Sequence, residues 1–569
     1  LTLADSVTTS GSGAVTTLAA GKDIVQQTGS RVSSDALRLQ AGGDATLETA
    51  TNTVGTLAAS TGGKLSYVDA DALRVGTVTT TSGPASLLGS TVGVSAAGAT
   101  TLQTLDGTTG SLTLADSVTT SGSGAVTTLT AGKDIVQGAG SRVSSDALRL
   151  QAGGDATLET ATNTVGTLAA EVATGDLRFV NAQALAIGSV TTSTAAAAGT
   201  TDGARTASAG RHISLQSLAG DISINQQLRT TADAGGTDTA TLSAAGGITQ
   251  SSSAGAALSA SQLRVLTAAG GASLANTGNV VGAVAADVTG GSFALASNRA
   301  LTVGSVTTAT PLLAGTSTGI MTRGQGISVS TSGAGSDVRL DADVLTTAGG
   351  ASAGADINVA AGGALAQAAG NLRGGTDGTV RLGAAAGGVS QTGNGVVTAS
   401  RLLVEAAADS ALLNAGNAVA TLAARSGGAF SYRNAGNLEI GSVTRADATP
   451  VNGVAAAGRV FVETPSGNLT LTQQVSGVGS GANSNAVVLH AGNRFHNEAT
   501  PGSTAVVADN GRWLIYDNNP TLQDKELGGL TPDFMRLATF YASYGPDRVT
   551  QAGNGYLTTA GFMPPEQIA

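Results

Sequence analysis

The sequence predicts an all-β protein, built as a parallel β-helix (β-solenoid) rod with a non-repetitive C-terminal cap. Three observations predict this class: long blocks recur in tandem, apolar residues alternate within short segments, and glycine marks the turns between those segments. Glycine contributes 82 of the 569 residues, and aromatic residues only 3%. Stacked coils need little bulk in their core, so small side chains favour the solenoid over a series of globular domains.

Composition and charge exclude several other classes. Charged residues make up 12% and hydrophobic residues 41% of the chain, which is not the composition of a disordered protein. Glycine lacks the every-third-residue period of collagen. The net charge is -10 and the 28 Lys and Arg residues are scattered singly, so we expect no nucleic-acid partner. The chain has no cysteine, which excludes disulfides and thiolate metal sites.

The first block of the chain is duplicated. Residues 1–59 recur at 112–170 with differences only where Ala19, Gln27 and Thr28 become Thr130, Gly138 and Ala139. Since the chain starts without Met and its first segment reappears intact, we expect residue 1 to be a cut or processing point inside a longer protein. Neither a signal peptide at the start nor an apolar run long enough for a membrane helix is visible in the sequence.

A looser module repeats along the chain between two anchors. The first anchor is the pattern Leu-x-(Val/Ile)-Gly-(Ser/Thr)-Val-Thr, found at 73–79, 185–191, 301–307 and 438–444. The second is an apolar residue two positions before a glutamine, namely Gln26, Gln137, Gln250 and Gln391. The distance between the two anchors is nearly constant, so each module is predicted to be a rigid block of coils joined to the next by turns of variable length.

Within a module, a strand, a corner and a second strand are legible. In residues 35–49, Leu37 and Leu39 alternate with Arg38, and Leu47 resumes the apolar face after the glycine pair at 42–43. Alternation with period two predicts strands with one face inward, and the glycines predict the corner between them. An array of β-sandwiches is the alternative, but it needs a bulkier core, usually with a buried Trp or Tyr, in each domain.

An asparagine follows the second strand at matching places in the modules. These residues are Asn52, Asn163, Asn279 and Asn417. We expect each to lie at a corner, where an asparagine can accept left-handed backbone geometry and bond exposed backbone groups; a ligand site is the alternative.

A change in composition divides the chain into a β-helix over 1–489 and an aromatic-rich capping segment over 490–569. Residues 512–516 are predicted to form a strand, 517–520 a turn, and 532–537 the start of a short helix. The exposed end of a solenoid needs covering, and the same aromatic residues could instead form a binding surface. The candidate cap or interface residues are Trp513, Tyr516, Phe534, Phe540, Tyr541 and Tyr544.

Two sets of residues resemble a known family. The Gly-Asp coils at 43–47 and 220–224, and the tail segments 495–497, 511–516 and 553–556, resemble the repeat region and following segment of filamentous-haemagglutinin-like exoproteins of two-partner secretion. The resemblance implies a right-handed parallel β-helix, export through an outer-membrane transporter, and a place outside the cell or on the outer surface of a Gram-negative bacterium. It also implies a role in cell adhesion, biofilm or other extracellular structure.

No catalytic, cofactor or metal site is expected from the sequence. The three histidines, His212, His490 and His496, have no catalytic or metal-binding pattern around them. Isolated Gly-Gly-x-Asp corners do not form the tandem repeat of calcium-binding solenoids. We therefore expect no enzyme, with a polysaccharide-degrading enzyme on a β-helix as the remote alternative. Threonine-rich stretches raise ice binding as a further alternative, but they do not recur coil after coil.

These observations predict a structural adhesin. We expect a secreted or cell-surface β-helical stalk that contacts a host or neighbouring cell surface, a glycan or the extracellular matrix. Since a net charge of -10 gives weak repulsion between copies, self-association into filaments, as a fibre or sheath subunit, is the alternative function.

Overall fold

The computed structural model describes residues 1–231, 236–347, 354–521 and 526–561. These residues form β-strands, turns and short 3-10 helices, and no α-helix occurs among them. The chain divides into two compact units. One consists of Leu1–Gly282 with Val306–Ser317, and the other of Ala283–Ser305 with Thr318–Ala569. In the described ranges, no helix has the length and apolar character needed to cross a membrane.

The strands are short and follow one another closely along the chain. Up to residue 104 they are Thr2–Leu3, Val7–Thr8, Val15–Ala20, Ile24–Gln26, Val32–Ala41, Ala45–Leu47, Thr53–Thr61, Leu65–Asp69, Leu73–Val75, Thr77–Thr80, Gly89–Val92, Val94–Ala96 and Thr100–Thr104. Up to residue 229 they are Leu112–Leu114, Val118–Thr120, Val126–Ala131, Ile135–Gln137, Val143–Ala152, Ala156–Leu158, Thr164–Val172, Leu177–Asn181, Leu185–Ile187, Ser189–Thr192, Gly199–Asp202, Ala204–Thr206, Ile213–Ser217, Ile222–Ile224 and Leu228–Arg229.

The later strands have the same character. Up to residue 345 they are Thr239–Ala244, Ile248–Gln250, Leu258–Thr267, Ala272–Leu274, Val280–Val288, Phe293–Ser297, Leu301–Val303, Ser305–Thr308, Gly315–Thr318, Ile320–Thr322, Ile327–Thr331, Val338–Leu340 and Val344–Leu345. Beyond it they are Ile357–Ala361, Leu365–Gln367, Leu372–Ala384, Val389–Gln391, Val397–Ala406, Ser410–Leu412, Ala418–Ser426, Phe430–Arg433, Leu438–Ile440, Ser442–Thr444, Pro450–Asn452, Val454–Ala456, Val460–Thr464, Leu469–Leu471, Val475–Val478, Asn485–Ala491, Phe495–Asn497, Val506–Asp509, Arg512–Asp517, Phe534–Arg536 and Gly555–Thr558. The 3-10 helices are Ala85–Leu87, Ala195–Ala197, Ala254–Ala256, Gly502–Thr504 and Pro546–Arg548.

Parallel pairing between successive coils confirms the β-helix. Strand Val143–Ala152 pairs in parallel with Thr164–Val172, so that Leu148 lies beside Leu168. Their side-chain neighbours Ser144 and Thr164 are 20 residues apart in the chain. Neighbouring strands that are parallel and separated by one full coil of the chain differ from the antiparallel sheets of a β-sandwich. The sandwich alternative is therefore wrong.

The inner side of each coil is apolar, as the alternation predicts. Leu37, Leu39, Ala45 and Leu47 are fully buried. The corner between them allows no side chain, because a Cβ at Gly42 would lie 2.2 Å from the carbonyl oxygen of Gly21 in the coil before. The coils can stack for two reasons: large aliphatic side chains fill the space between the strands, and glycine leaves room where the corners of successive coils come close.

Four antiparallel hairpins among the described residues interrupt the parallel ladders. The first consists of Thr77–Thr80 and Gly89–Val92. Its flanking strands, Leu73–Val75 and Val94–Ala96, both pair with Thr53–Thr61 of the preceding coil. The hairpin is therefore an insertion within what is otherwise one continuous strand.

All four first-anchor patterns of the sequence mark the outgoing strand of such a hairpin. The other hairpin strands are Ser189–Thr192 with Gly199–Asp202, Ser305–Thr308 with Gly315–Thr318, and Ser442–Thr444 with Pro450–Asn452. Each hairpin returns through a glycine with positive φ; in the second, Gly203 has a φ of 74°. A Cβ at Gly203 would lie 2.0 Å from the carbonyl oxygen of Gln227, so the return to the coil requires glycine.

Parallel pairing continues into the predicted capping segment. Asn485–Ala491 pairs with Arg512–Asp517, which in turn pairs with Gly555–Thr558. The predicted strand at 512–516 is confirmed. The predicted helix at 532–537 is wrong: Phe534–Arg536 is a strand that pairs with Gly555–Thr558, because pairing with the last coil satisfies its backbone. The division at residue 490 stays a prediction.

Candidate functional site

The six predicted cap or interface residues occupy three different environments. Trp513 and Tyr516 lie in strand Arg512–Asp517 and are 4% and 1% exposed. Phe534, Tyr541 and Tyr544 are half-buried. Phe540 is 47% exposed. Phe540 is therefore the most exposed of the six side chains and the one most available for contact.

Residues 537–549, called here the cover segment, lie against the outer side of the last coils. Tyr541 and Tyr544 of this segment pack against a buried cluster formed by Val488, Leu514, Tyr516, Val549 and Leu557. Tyr541 stacks on His490 with ring centroids 4.1 Å apart and meets the ring of Tyr516 edge-on at 4.9 Å. These contacts pack Tyr541 against the side of the coils, whereas the covering of the solenoid end stays a prediction.

A charged group lies beneath the cover segment. Arg433 Nε donates to Glu463 Oε2 at 2.7 Å, and His490 Nδ1 lies 3.1 Å from Glu463 Oε1. Burial favours a raised pKa for Glu463, but the hydrogen bonds from His490 and Arg433 outweigh it and hold that pKa below its usual value. Within the described part of the chain, no group of three or more His, Asp or Glu side chains could hold a metal ion.

Arg512 fastens the cover segment to the coils. Its Nη2 donates to the carbonyl oxygen of Val549 at 2.9 Å, its Nη1 to the carbonyl oxygen of Gln551, and its Nε to Asn485 Oδ1 at 2.9 Å. The side chain is 4% exposed. A single arginine thus joins two strands of the coil to the chain that crosses them.

Three apolar side chains, two of them in the cover segment and one just before it, remain exposed. Met535, Leu537 and Phe540 are 51%, 46% and 47% exposed. We call these three residues the C-terminal apolar patch. Exposed apolar residues gathered within a short stretch are typical of contact surfaces.

Sequence reasoning missed a second set of residues, the buried arginines under the hairpins. Arg38 is 4% exposed, and its Nη1 donates to the carbonyl oxygen of Leu87 at 2.7 Å. Arg149 and Arg264 make the same bond to the carbonyl oxygens of Ala197 and Leu313. The sequence places Arg38 correctly on the outer side of its strand, but it gives no sign that a hairpin covers that side.

The fourth module uses a different arrangement. Leu403 stands at the register position of the buried arginines and packs with Ala423, Val443 and Val451. The hairpin instead supplies Arg445, whose Nε and Nη2 bond Glu405 at 2.9 and 2.7 Å. The charged partner has therefore moved from the coil to the hairpin.

Replacing Arg149 by Leu is expected to release the second hairpin. The change removes the bonds to Ala197 O and to Thr201 Oγ1, at 2.6 and 2.8 Å, so that the half-buried carbonyl oxygen and the buried hydroxyl both lose this donor. Hydrogen exchange of the amides in 189–202 is expected to accelerate by about tenfold or more, while the ladder at 164–172 keeps its protection. Arg142→Leu, at an exposed arginine of the same coil, is the control. Unchanged exchange in Arg149→Leu contradicts the clamping role.

In each module, the side-chain amides of the anchor glutamine and of the asparagine after the second strand bond one another. Gln137 Nε2 donates to Asn163 Oδ1 at 2.7 Å, and Asn163 Nδ2 donates to Gln137 Oε1 at 3.1 Å. Asn163 Oδ1 also accepts from the backbone N–H of Val143, and Nδ2 donates to the carbonyl oxygen of Val180. The other three pairs, Gln26 with Asn52, Gln250 with Asn279 and Gln391 with Asn417, are the same.

The predicted structural role of these asparagines is therefore confirmed. All four are fully buried and bond backbone groups near the turn that follows the second strand. None of the four uses the left-handed geometry that asparagine can accept, because none has a positive φ. The side chain alone bridges the neighbouring coils.

Comparison with protein-family models, with curated proteins and with solved structures finds no match to this chain. The likeness to filamentous-haemagglutinin-like exoproteins therefore stays a prediction from the residues that carry it.

Proposed function

We propose that the chain is a non-enzymatic structural adhesin, a β-helical stalk outside the cell that works by surface contact. The observation that carries this proposal is the use of its distinctive polar side chains. The buried arginines hold hairpins, the asparagine–glutamine pairs join coils, and the His490 group lies under the cover segment. Groups that could perform chemistry are thus committed to holding the fold.

The C-terminal apolar patch is the contact surface that we propose. Met535, Leu537 and Phe540 together expose apolar surface next to Arg536, whose guanidinium lies 4.0 Å from the centre of the Tyr544 ring. Apolar and aromatic side chains with an adjacent arginine are the residue types enriched at protein contacts. A protein or glycan of another cell surface or of the extracellular matrix is the partner class that we propose.

Binding of the purified chain to cultured cells and to a glycan and matrix-protein array tests the proposal. Wild type is expected to bind, and the double change Leu537→Ser with Phe540→Ser is expected to weaken binding by about tenfold or more, because it removes the exposed apolar surface of both side chains. The matched control is Val25→Ser with Val136→Ser, two exposed apolar residues outside the patch. Absence of binding by wild type, or equal loss in the control, contradicts the proposal.

A self-assembling fibre is the second candidate function. Among the described residues, strand Phe534–Arg536 pairs only with Gly555–Thr558, so its other edge is open for pairing with another chain. Light scattering that grows with concentration and disappears in Met535→Pro supports a fibre, whereas scattering from single particles at all concentrations excludes it.

A further inference from the structure

A cavity of about 180 Å³ lies beside the fourth hairpin. It is bordered by Asn358, Ala360, Arg381, Gly383, Glu405 and Arg445. All of these residues belong to the second compact unit. None of the contacts described above fills this cavity.

The short fourth hairpin is one reason for the opening. It runs from Ser442 to Asn452, whereas the second runs from Ser189 to Asp202. The longer second hairpin reaches back over two coils, where Thr192 and Thr194 bond Thr128 and Thr101 through their hydroxyl groups. The fourth hairpin ends sooner, and the corresponding surface around Asn358 stays uncovered.

Small residues on the floor are a second, independent reason. Ala360 and Gly383 stand side by side in adjacent strands. The same register positions in the second module hold Gln103 and Thr130. At this place the hairpin is shorter and the floor side chains are smaller than in the second module.

Two guanidinium groups flank the opening, and each is neutralised. Arg381 Nη1 donates to Asp356 Oδ2 at 2.6 Å, and its Nε donates to the carbonyl oxygen of Thr444 at 2.7 Å. Arg445 is paired with Glu405. The site is therefore balanced in charge but offers two cationic groups beside an apolar floor.

We propose that this cavity binds a single aromatic ring of a small, uncharged molecule. Its volume of about 180 Å³ has room for one six-membered ring, which would lie in a pocket that is open to solvent on one side. Guanidinium groups attract the faces of aromatic rings, whereas a saturated ring of equal size gains nothing from them. Because both arginines already have carboxylate partners, a neutral ring fits the site better than an anion.

The test is a titration of the whole chain with phenol and with cyclohexanol, followed by saturation-transfer NMR. Phenol is expected to bind saturably in the millimolar range or tighter, and at least about fivefold more tightly than cyclohexanol. Gly383→Thr is expected to reduce phenol binding by about tenfold or more, because the added side chain occupies the floor. The fold tolerates this change, since a Cβ at Gly383 has no neighbouring atom closer than 3.8 Å.

A control variant with an enlarged side chain at a different site distinguishes filling of the cavity from a general effect on phenol binding. Ser243 occupies the register position of Gly383 in the third module's block, on a strand whose Thr241 bonds Thr308 of a long hairpin. Ser243→Thr is expected to leave phenol binding unchanged. Three results overturn the proposal: no saturable binding of phenol by wild type, undiminished binding by Gly383→Thr, or equal affinity for cyclohexanol. Circular dichroism of each variant verifies that the fold is kept.

Discussion

Replacing Asp69 by Asn is expected to stabilise the protein by about 2 to 3 kcal/mol at pH 7.5. Asp69 is fully buried, and its Oδ2 accepts hydrogen bonds from the Val54 N–H and the Tyr67 hydroxyl. Matching positions in two other modules hold Asn181 and Asn434. Asn181 Nδ2 donates to the carbonyl oxygen of Val165, a bond that a carboxylate cannot make.

The pH dependence follows from the direction of the pKa shift. Burial raises the pKa of Asp69 from its ordinary 3.8 to about 6, although hydrogen bonds from Asp71, Tyr67 and Val54 act against the rise. The protonated side chain therefore favours the folded state fully below about pH 4. This contribution is lost as the pH rises through 6, where the folded protein must ionise a buried carboxyl.

Thermal unfolding of wild type and Asp69→Asn between pH 4 and 8 checks this result. The melting temperature of wild type is expected to fall between pH 5 and 7 relative to that of Asp69→Asn. The reciprocal change Asn181→Asp is expected to destabilise the protein at pH 7.5 and to recover partly near pH 5. Identical pH profiles for wild type and Asp69→Asn contradict the account of this site.

Replacing Asn163 by Leu is expected to cost about 3 to 5 kcal/mol. The substitution leaves the Val143 N–H and the Val180 carbonyl oxygen without their partner in a fully buried place, and it removes the partner of the half-buried Gln137 amide. Each unsatisfied group costs about 1 to 3 kcal/mol, and leucine brings no compensating bond. Urea unfolding followed by circular dichroism measures the loss of stability.

A double-mutant cycle identifies the bond itself. Gln137→Ala alone is expected to cost less, because Gln137 is only half-buried and water can replace its partner. Adding Gln137→Ala to Asn163→Ala is expected to cost less than the sum of the two single changes, since the bond between them is lost only once. Additive costs, or a loss below about 1 kcal/mol in Asn163→Leu, contradict the bridging role.

The sequence predicted the stacked part of the fold because the evidence for it is local and repeated. Leu37, Leu39 and Leu47 alternate with polar residues, and glycine stands where a Cβ would strike the coil before. The block duplication at 112–170 showed that the coils form modules. Each of these features can be recognised without knowing which segments touch.

The hairpins could not be placed in the same way, although a signal for them exists. Gly89 and Gly93, Gly199 and Gly203, and Gly315 and Gly319 share a spacing that bounds the returning strands. The sequence does not show which coil a hairpin covers. Arg149 and Thr201, for example, bond one another although they are 52 residues apart in the chain. Burial of Arg149 depends on this distant contact and not on its neighbours in the chain.

The tail was harder to predict because its residues do not repeat. Proline at 532 favoured a helix start, but pairing of Phe534–Arg536 with Gly555–Thr558 fixed an extended conformation. Trp513, Tyr516 and Phe540 were all predicted as cap or interface candidates, yet the first two are buried and Phe540 is 47% exposed. Aromatic content alone does not distinguish a core residue from a contact residue.

Paired cysteines test most directly whether the coils stack in parallel. The chain has no cysteine of its own, so every cross-link comes from the introduced pair. Ser144 lies beside Thr164, and Gln151 beside Glu171, in the same two strands. Oxidation is expected to cross-link Ser144→Cys with Thr164→Cys, and Gln151→Cys with Glu171→Cys. If Ser144→Cys instead cross-links efficiently to Glu171→Cys, and Gln151→Cys to Thr164→Cys, the two strands run antiparallel and the β-helix is contradicted.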